Sequence, residues 1–240
     1  MSKFIDRLKQ VSQPPSQPMG FGAAKNVADK PKIQLVASQG NATAALVNQL
    51  TMVDAVLVTA ARKNVSETTW GLWLKKGDAG EVEQSIKSQA DFVVLPADGA
   101  VLTSETKIGK ILQIETDITD ILLRAANELS VDAFLLDDDK NGALTWQSLM
   151  AFYRFGGLLN KPVLVKVPAT VTATDLQNIW EAGISGVIVE AGDETAVASL
   201  TKIREIIAGL PFPVKKRKDK MSPTLPQMAA NELPAMNTLL

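Results

Sequence analysis

Short apolar runs of β type, each ending near a polar residue, recur along this chain. They stand at 33–38 (IQLVAS), 55–59 (AVLVT), 71–75 (GLWLK), 92–96 (FVVLP), 111–115 (ILQIE), 133–137 (AFLLD), 163–167 (VLVKV) and 187–190 (VIVE). Runs of this length, rich in Val, Ile and Leu and bounded by turn residues, read as strands buried on both faces. Stretches with helical spacing separate them, at about 41–50, 79–89, 117–129, 144–159, 172–182 and 194–208. Thr145, Thr172 and Asp193 stand where N-caps are needed. Eight strands alternating with helices predict one α/β domain, a (β/α)8 barrel over 31–210. The connections from Ala60 to Thr69 and from Ala97 to Gly109 are short for crossover helices, so the predicted barrel is reduced, with shortened outer helices.

The ends have a different pattern. Phe4, Ile5, Leu8 and Val11 recur at helical spacing among charged residues, predicting a short amphipathic helix. Such a helix either covers the barrel bottom or meets a partner, a second copy of the chain included. The segment 13–18 (QPPSQP) cannot continue it, and 1–30 reads as a helix plus a Pro/Gly linker. Residues 211–240 read as a basic, Pro-containing tail, with 215–220 (KKRKDK) as a solvated charge run. Both extensions are expected to be flexible and, the helix at 4–11 excepted, to add little to the barrel core.

Composition narrows the chemistry. The 240 residues carry no His and no Cys, which excludes a disulfide framework, a thiolate nucleophile and a Cys/His zinc site. A net charge of −1 gives no drive towards nucleic acid. No apolar run is long enough to span a bilayer, and no signal-peptide pattern opens the chain, so a cytoplasmic location is expected.

Alternation along strands selects the inward residues. If Val163, Val165 and Val167 face the helices, Leu164 and Lys166 face the barrel axis. The same argument sends Gln113 and Glu115, and Ile188 and Glu190, inward. Lys166, Glu115 and Glu190 are therefore expected to converge near the C-terminal mouth, Lys166 as nucleophile or base and the two glutamates as proton-transfer groups. A structural Lys–Glu ion pair plugging the barrel is the competing expectation. Gln113, Lys75, Thr170 and Thr172 are candidate ligand contacts, with Arg62, Lys63 and Lys76 as further cations at strand ends. Glu190 and Glu194 stand where a phosphate would otherwise be held. Asp137, Asp139 and Asn141 have the spacing of the first half of a calcium loop, with Gly142 for its turn and Ala143 for a backbone carbonyl. A bidentate Glu is absent from its twelfth position, which is Ser148, so any Ca²⁺ or Mg²⁺ site is expected to be weak. Trp146, Phe152, Tyr153 and Phe155 read as core or interface residues; Trp146 and Tyr153 exposed together would indicate a protein contact.

The run 182–189 (AGISGVIV) resembles the helix-end, strand-start pattern of aldolase-type, phosphometabolite-binding TIM barrels. The runs 89–95 (QADFVVL) and 130–136 (SVDAFLL) repeat that pattern. The segment 165–170 (VKVPAT) is similar to the lysine-bearing strand of transaldolases, although in that family the strand lies earlier in the barrel. The resemblance implies a lysine-dependent lyase or aldolase acting on a small carbonyl or phosphorylated metabolite. The missing His and the weakened phosphate loops favour the other expectation, a non-catalytic binding or scaffold barrel.

Overall fold

The computed structural model describes residues 2–12, 31–39, 50–60, 69–99, 101, 108–137, 144–192 and 195–213. Eight parallel strands close into a barrel in sequence order: β1 (Gln34–Gln39), β2 (Ala55–Val58), β3 (Trp70–Trp73), β4 (Phe92–Leu95), β5 (Gly109–Glu115), β6 (Ala133–Asp137), β7 (Val163–Val167) and β8 (Gly186–Glu190). β8 pairs back onto β1, Ile188 opposite Val36, so no strand edge is left open. Among the described residues there are six helices: α1 (Lys3–Ser12), α2 (Ala79–Lys87), α3 (Asp120–Ala126), α4 (Trp146–Leu158), α5 (Ala173–Glu181) and α6 (Thr195–Gly209). The chain is a reduced (β/α)8 barrel, as the strand pattern predicts. The helix expected at 41–50 lies almost wholly outside the described residues, as do the middles of the two short connections.

The alternation of each strand sorts the core into two bodies. Val163, Val165, Val187, Val189, Phe134 and Leu136 point outwards and pack under the helices. Val36, Leu57, Val94, Ile111, Leu135, Leu164 and Ile188 fill the barrel axis. The inward position of Leu164 fixes the register of β7 and sends Lys166 to the same side.

The first helix belongs to the inner core. Phe4, Ile5 and Leu8 are buried and cluster with the axial strand residues. Phe4 stacks on Phe92 with ring centroids 4.6 Å apart. Glycines make the room. A Cβ at Gly109 would stand 2.5 Å from Ile5, and one at Gly71 only 2.3 Å from the Phe92 ring. α1 therefore closes the N-terminal end of the barrel. Of the two surfaces expected for its apolar stripe, the helix takes the barrel bottom, and it uses within the chain what a partner could have met. The polar ends are matched too. Asp91, just before β4, accepts hydrogen bonds from Ser2 Oγ (2.6 Å), the Lys3 amide (2.9 Å) and the Phe4 amide (3.0 Å). These are first-turn amides that the helix itself cannot pair. Asp91→Ala should cost about 0.5–2 kcal/mol, as for a lost N-cap, and urea unfolding measures it directly.

Lys9 reaches Asp132 at 3.2 Å on the same end. Nearby, Lys161 donates to the Leu129 carbonyl. Burial pulls the Lys161 ammonium below the ordinary lysine value; Asp132 and Glu128 oppose that pull, and Lys9 adds to it. Between the lowered value and the ordinary one, the unfolded chain binds more protons, so this group makes stability rise with pH. The stability difference between the wild type and Lys161→Met should therefore move in favour of the wild type as pH climbs towards 10.5. A flat difference across alkaline urea titrations would contradict the desolvation.

The crossover helices start as their caps dictate. Thr145 accepts from the Ser148 amide, Thr119 from Leu122, and Thr172 forms a reciprocal capping box with Asp175. The packed domain runs slightly past the predicted limit of 210. Phe212 packs against Trp180 in a tilted arrangement with ring centroids 5.4 Å apart, and the Lys32 ammonium is 5.7 Å from the Phe212 ring centroid.

Candidate functional site

Four side chains from four strands meet at the C-terminal end of the barrel, above the apolar axis. Lys166 is the last residue but one of β7, Asp137 ends β6, Gln113 lies on β5 and Trp73 ends β3. The Lys166 Nζ donates to Asp137 Oδ1 at 3.0 Å. The Gln113 Nε2 donates to the other carboxylate oxygen, Oδ2. The Trp73 indole N–H donates to Gln113 Oε1 at 3.2 Å. Lys166 Nζ also lies 4.6 Å from the Trp73 ring centroid, within cation–π range. The chain of donors thus returns on itself: lysine to aspartate, glutamine to aspartate, tryptophan to glutamine, lysine over tryptophan. Both oxygens of Asp137 are engaged. Lys166 and Asp137 keep 34% and 21% of their side-chain surface exposed, so the network is wet on one side. An ammonium has three donors, of which one is used on a carboxylate among the described residues.

The sequence-derived candidates divide. Lys166 and Gln113 meet in this cluster. Glu115 and Glu190 are exposed at the ends of β5 and β8, and the carboxylate paired with Lys166 is Asp137. The ion pair expected between Lys166 and a glutamate is thus made with a different acid. Asp137 is also the first residue of the candidate calcium loop, and here its two oxygens accept from Lys166 and Gln113. Asp139 and Asn141 lie outside the described residues, as do Gly142, Ala143, Arg62 and Lys63. Among the described residues, no group of three or more acidic side chains is placed to hold a metal ion. Lys75 and Thr170 are exposed. Thr172 is exposed as well, but its hydroxyl is committed to the α5 cap, donating to Asp175 Oδ2 at 2.7 Å. Asp175 places a carboxylate at that helix N-terminus, where an anion would otherwise be drawn.

Trp73 and the role of Asp137 were missed in the sequence, although the signal was present. Alternation from Ala133 and Leu135 points Asp137 inward, and alternation from Gly71 does the same for Trp73. A separate cleft of about 450 Å³ lies between α5 and α6, bordered by Thr174, Gln177, Asn178, Glu205 and Leu210. It belongs to the outer helical layer and does not reach Lys166.

No protein-family model matches the chain, and no curated protein matches it. Solved structures do. The chain is similar to 3-hexulose-6-phosphate synthase, with 15% identity and a TM-score of 0.56 over 73% of this chain and 100% of that one. It is similar to the tryptophan synthase alpha subunit of Legionella pneumophila, with 12% identity and a TM-score of 0.58 over 88% and 100%. Thiamine phosphate pyrophosphorylase of Pyrococcus furiosus gives 10% identity and a TM-score of 0.53 over 73% and 96%. These structures are aldolase-type TIM barrels, and this chain has their fold. At such identities the likeness concerns the fold and not the chemistry.

Proposed function

We propose that this barrel is a non-catalytic binding or scaffold module whose C-terminal mouth is closed by a self-paired polar layer. The observation that supports this reading is the double engagement of Asp137. With one oxygen held by Lys166 on β7 and the other by Gln113 on β5, the carboxylate ties its own strand to both neighbours rather than standing free to take a proton. A general base needs a carboxylate within reach of substrate. The absence of His and Cys from the sequence supports the same reading. A cytoplasmic setting fits it; no helix among the described residues is long and apolar enough to cross a membrane.

A second reading rests on the same pair. An amine 3.0 Å from a carboxylate, at strand ends of an aldolase-type barrel, suits lysine-dependent chemistry on a small carbonyl or phosphorylated metabolite. Lys166 would be the nucleophile and Asp137 its proton acceptor, with Glu115 and Glu190 available to a bound substrate. Borohydride trapping with a panel of carbonyl metabolites, read by intact mass, separates the two. The scaffold reading expects no adduct on the wild-type chain. An adduct that disappears in Lys166→Met would overturn it in favour of the enzyme.

A further inference from the structure

The outer face of α4 carries large apolar residues that the fold leaves in solvent. Trp146, Met150 and Tyr153 are 82%, 65% and 49% exposed. Their spacing, four and then three residues, puts them on one ridge, opposite the buried Phe152 and Phe155. The ridge does not stand alone. Arg154 of α4 pairs with Asp120 of α3 at 2.6 Å and also bonds the Thr116 and Ile118 carbonyls, fixing the two helices side by side. The next two residues of α3, Ile121 and Leu122, are 81% and 58% exposed.

Five large side chains at these exposures present roughly 700 Å² of surface, since an aromatic alone offers about 150–250 Å². A typical monomer's largest apolar patch covers about 300–600 Å². One partner's share of a stable interface is about 800 Å². The area therefore fits one side of an interface better than ordinary surface. The residue types agree, because Trp, Tyr and Met are enriched at interface centres.

We infer that the α3–α4 face is the contact between two copies of this chain, related by a two-fold axis through the Trp146–Met150–Tyr153 ridge. The charges at its edge argue for a second copy. Asp120 is spent on Arg154, but the exposed Asp117 and Glu128 lie beside α3 together with the exposed Arg124. A two-fold contact brings each such patch against itself reversed, so a patch with both signs can pair its acids with its own bases. A patch suited to a strongly acidic or basic partner would carry one sign. Because α1 is spent inside the barrel, this face takes the place of the N-terminal helix as the route to association.

The test uses the full chain in sedimentation velocity, with thermal unfolding run in parallel. The wild type should sediment at twice its 25.7 kDa chain mass. The double variant Trp146→Asp/Tyr153→Lys should sediment as a monomer and keep its circular dichroism. If that variant does not fold, Ile121→Lys on the neighbouring helix carries the same test and should weaken association at least tenfold. A monomeric wild type overturns the inference and leaves the face to another occupant. A dimer that survives these substitutions overturns it as well, by placing the contact elsewhere.

Discussion

Replacing Phe4 with alanine is expected to lower the unfolding free energy by about 3–5 kcal/mol, the range for removing a large buried ring. Phe4 is fully buried, and so is the Phe92 ring on which it stacks. The space it would vacate is walled by strands whose positions are set by pairing around a closed barrel. Such a wall cannot move inward to fill the hole, so little of the cavity term is recovered. Domains are stable by about 5–15 kcal/mol in all, so the loss is a large share of the total. Chemical denaturation with an unchanged slope is the measurement. A loss under about 1 kcal/mol would mean that α1 does not seal the barrel. Deleting residues 2–12 should cost more than Phe4→Ala while leaving the solution mass per particle otherwise unchanged.

Two adjacent glycines in α4 should respond to alanine in opposite directions. A Cβ on Gly156 would lie 2.0 Å from the Ala182 carbonyl oxygen, a backbone atom at the end of α5. It could be accommodated only if α4 and α5 moved apart. The neighbouring Gly183 holds a φ of +95°, a region side chains rarely enter, so the α5 turn has little freedom to yield. Gly156→Ala should cost about 1–3 kcal/mol or more, as overpacking does. Nothing approaches a Cβ on Gly157. There alanine should be neutral or should stabilise by up to about 1 kcal/mol through helix propensity. Thermal unfolding of the two variants side by side reads the contrast. Equal effects would mean that the α4–α5 approach is looser than described.

The architecture was legible because a strand buried on both faces writes itself as a continuous apolar run, and eight such runs leave few alternatives. The helix boundaries followed from Thr145 and Thr172, whose caps formed as expected. The candidate site was legible in part. Alternation placed Lys166 and Gln113 inward, yet it could not say which acid on a neighbouring strand would meet the ammonium. That depends on stagger between β6 and β7, where Leu136 stands opposite Val165. Asp137 was read both as the end of the sixth run and as the first ligand of an acidic loop, and the loop reading left its inward direction unused. The fate of α1 was legible as a choice between the barrel bottom and a partner. Its apolar stripe needs some surface, but the reason that surface is the barrel floor lies in Gly109 and Gly186, which clear a seat one Cβ deep on two separate strands, and in Gly71, which makes room for the Phe92 ring under Phe4.

That seat is assembled from pieces far apart in the chain. α1 precedes every strand, while its seat includes Gly109 on β5 and Gly186 on β8, where a Cβ would meet Leu8 at 3.2 Å. During synthesis the helix emerges first and its last wall emerges much later, so Phe4, Ile5 and Leu8 must wait without their final cover. Docking of α1 is therefore an event that only a completed ring can accept. A segment made before every strand acts as the keystone of the fold, and a chain stalled before β8 leaves it in solvent as a visible mark of unfinished work.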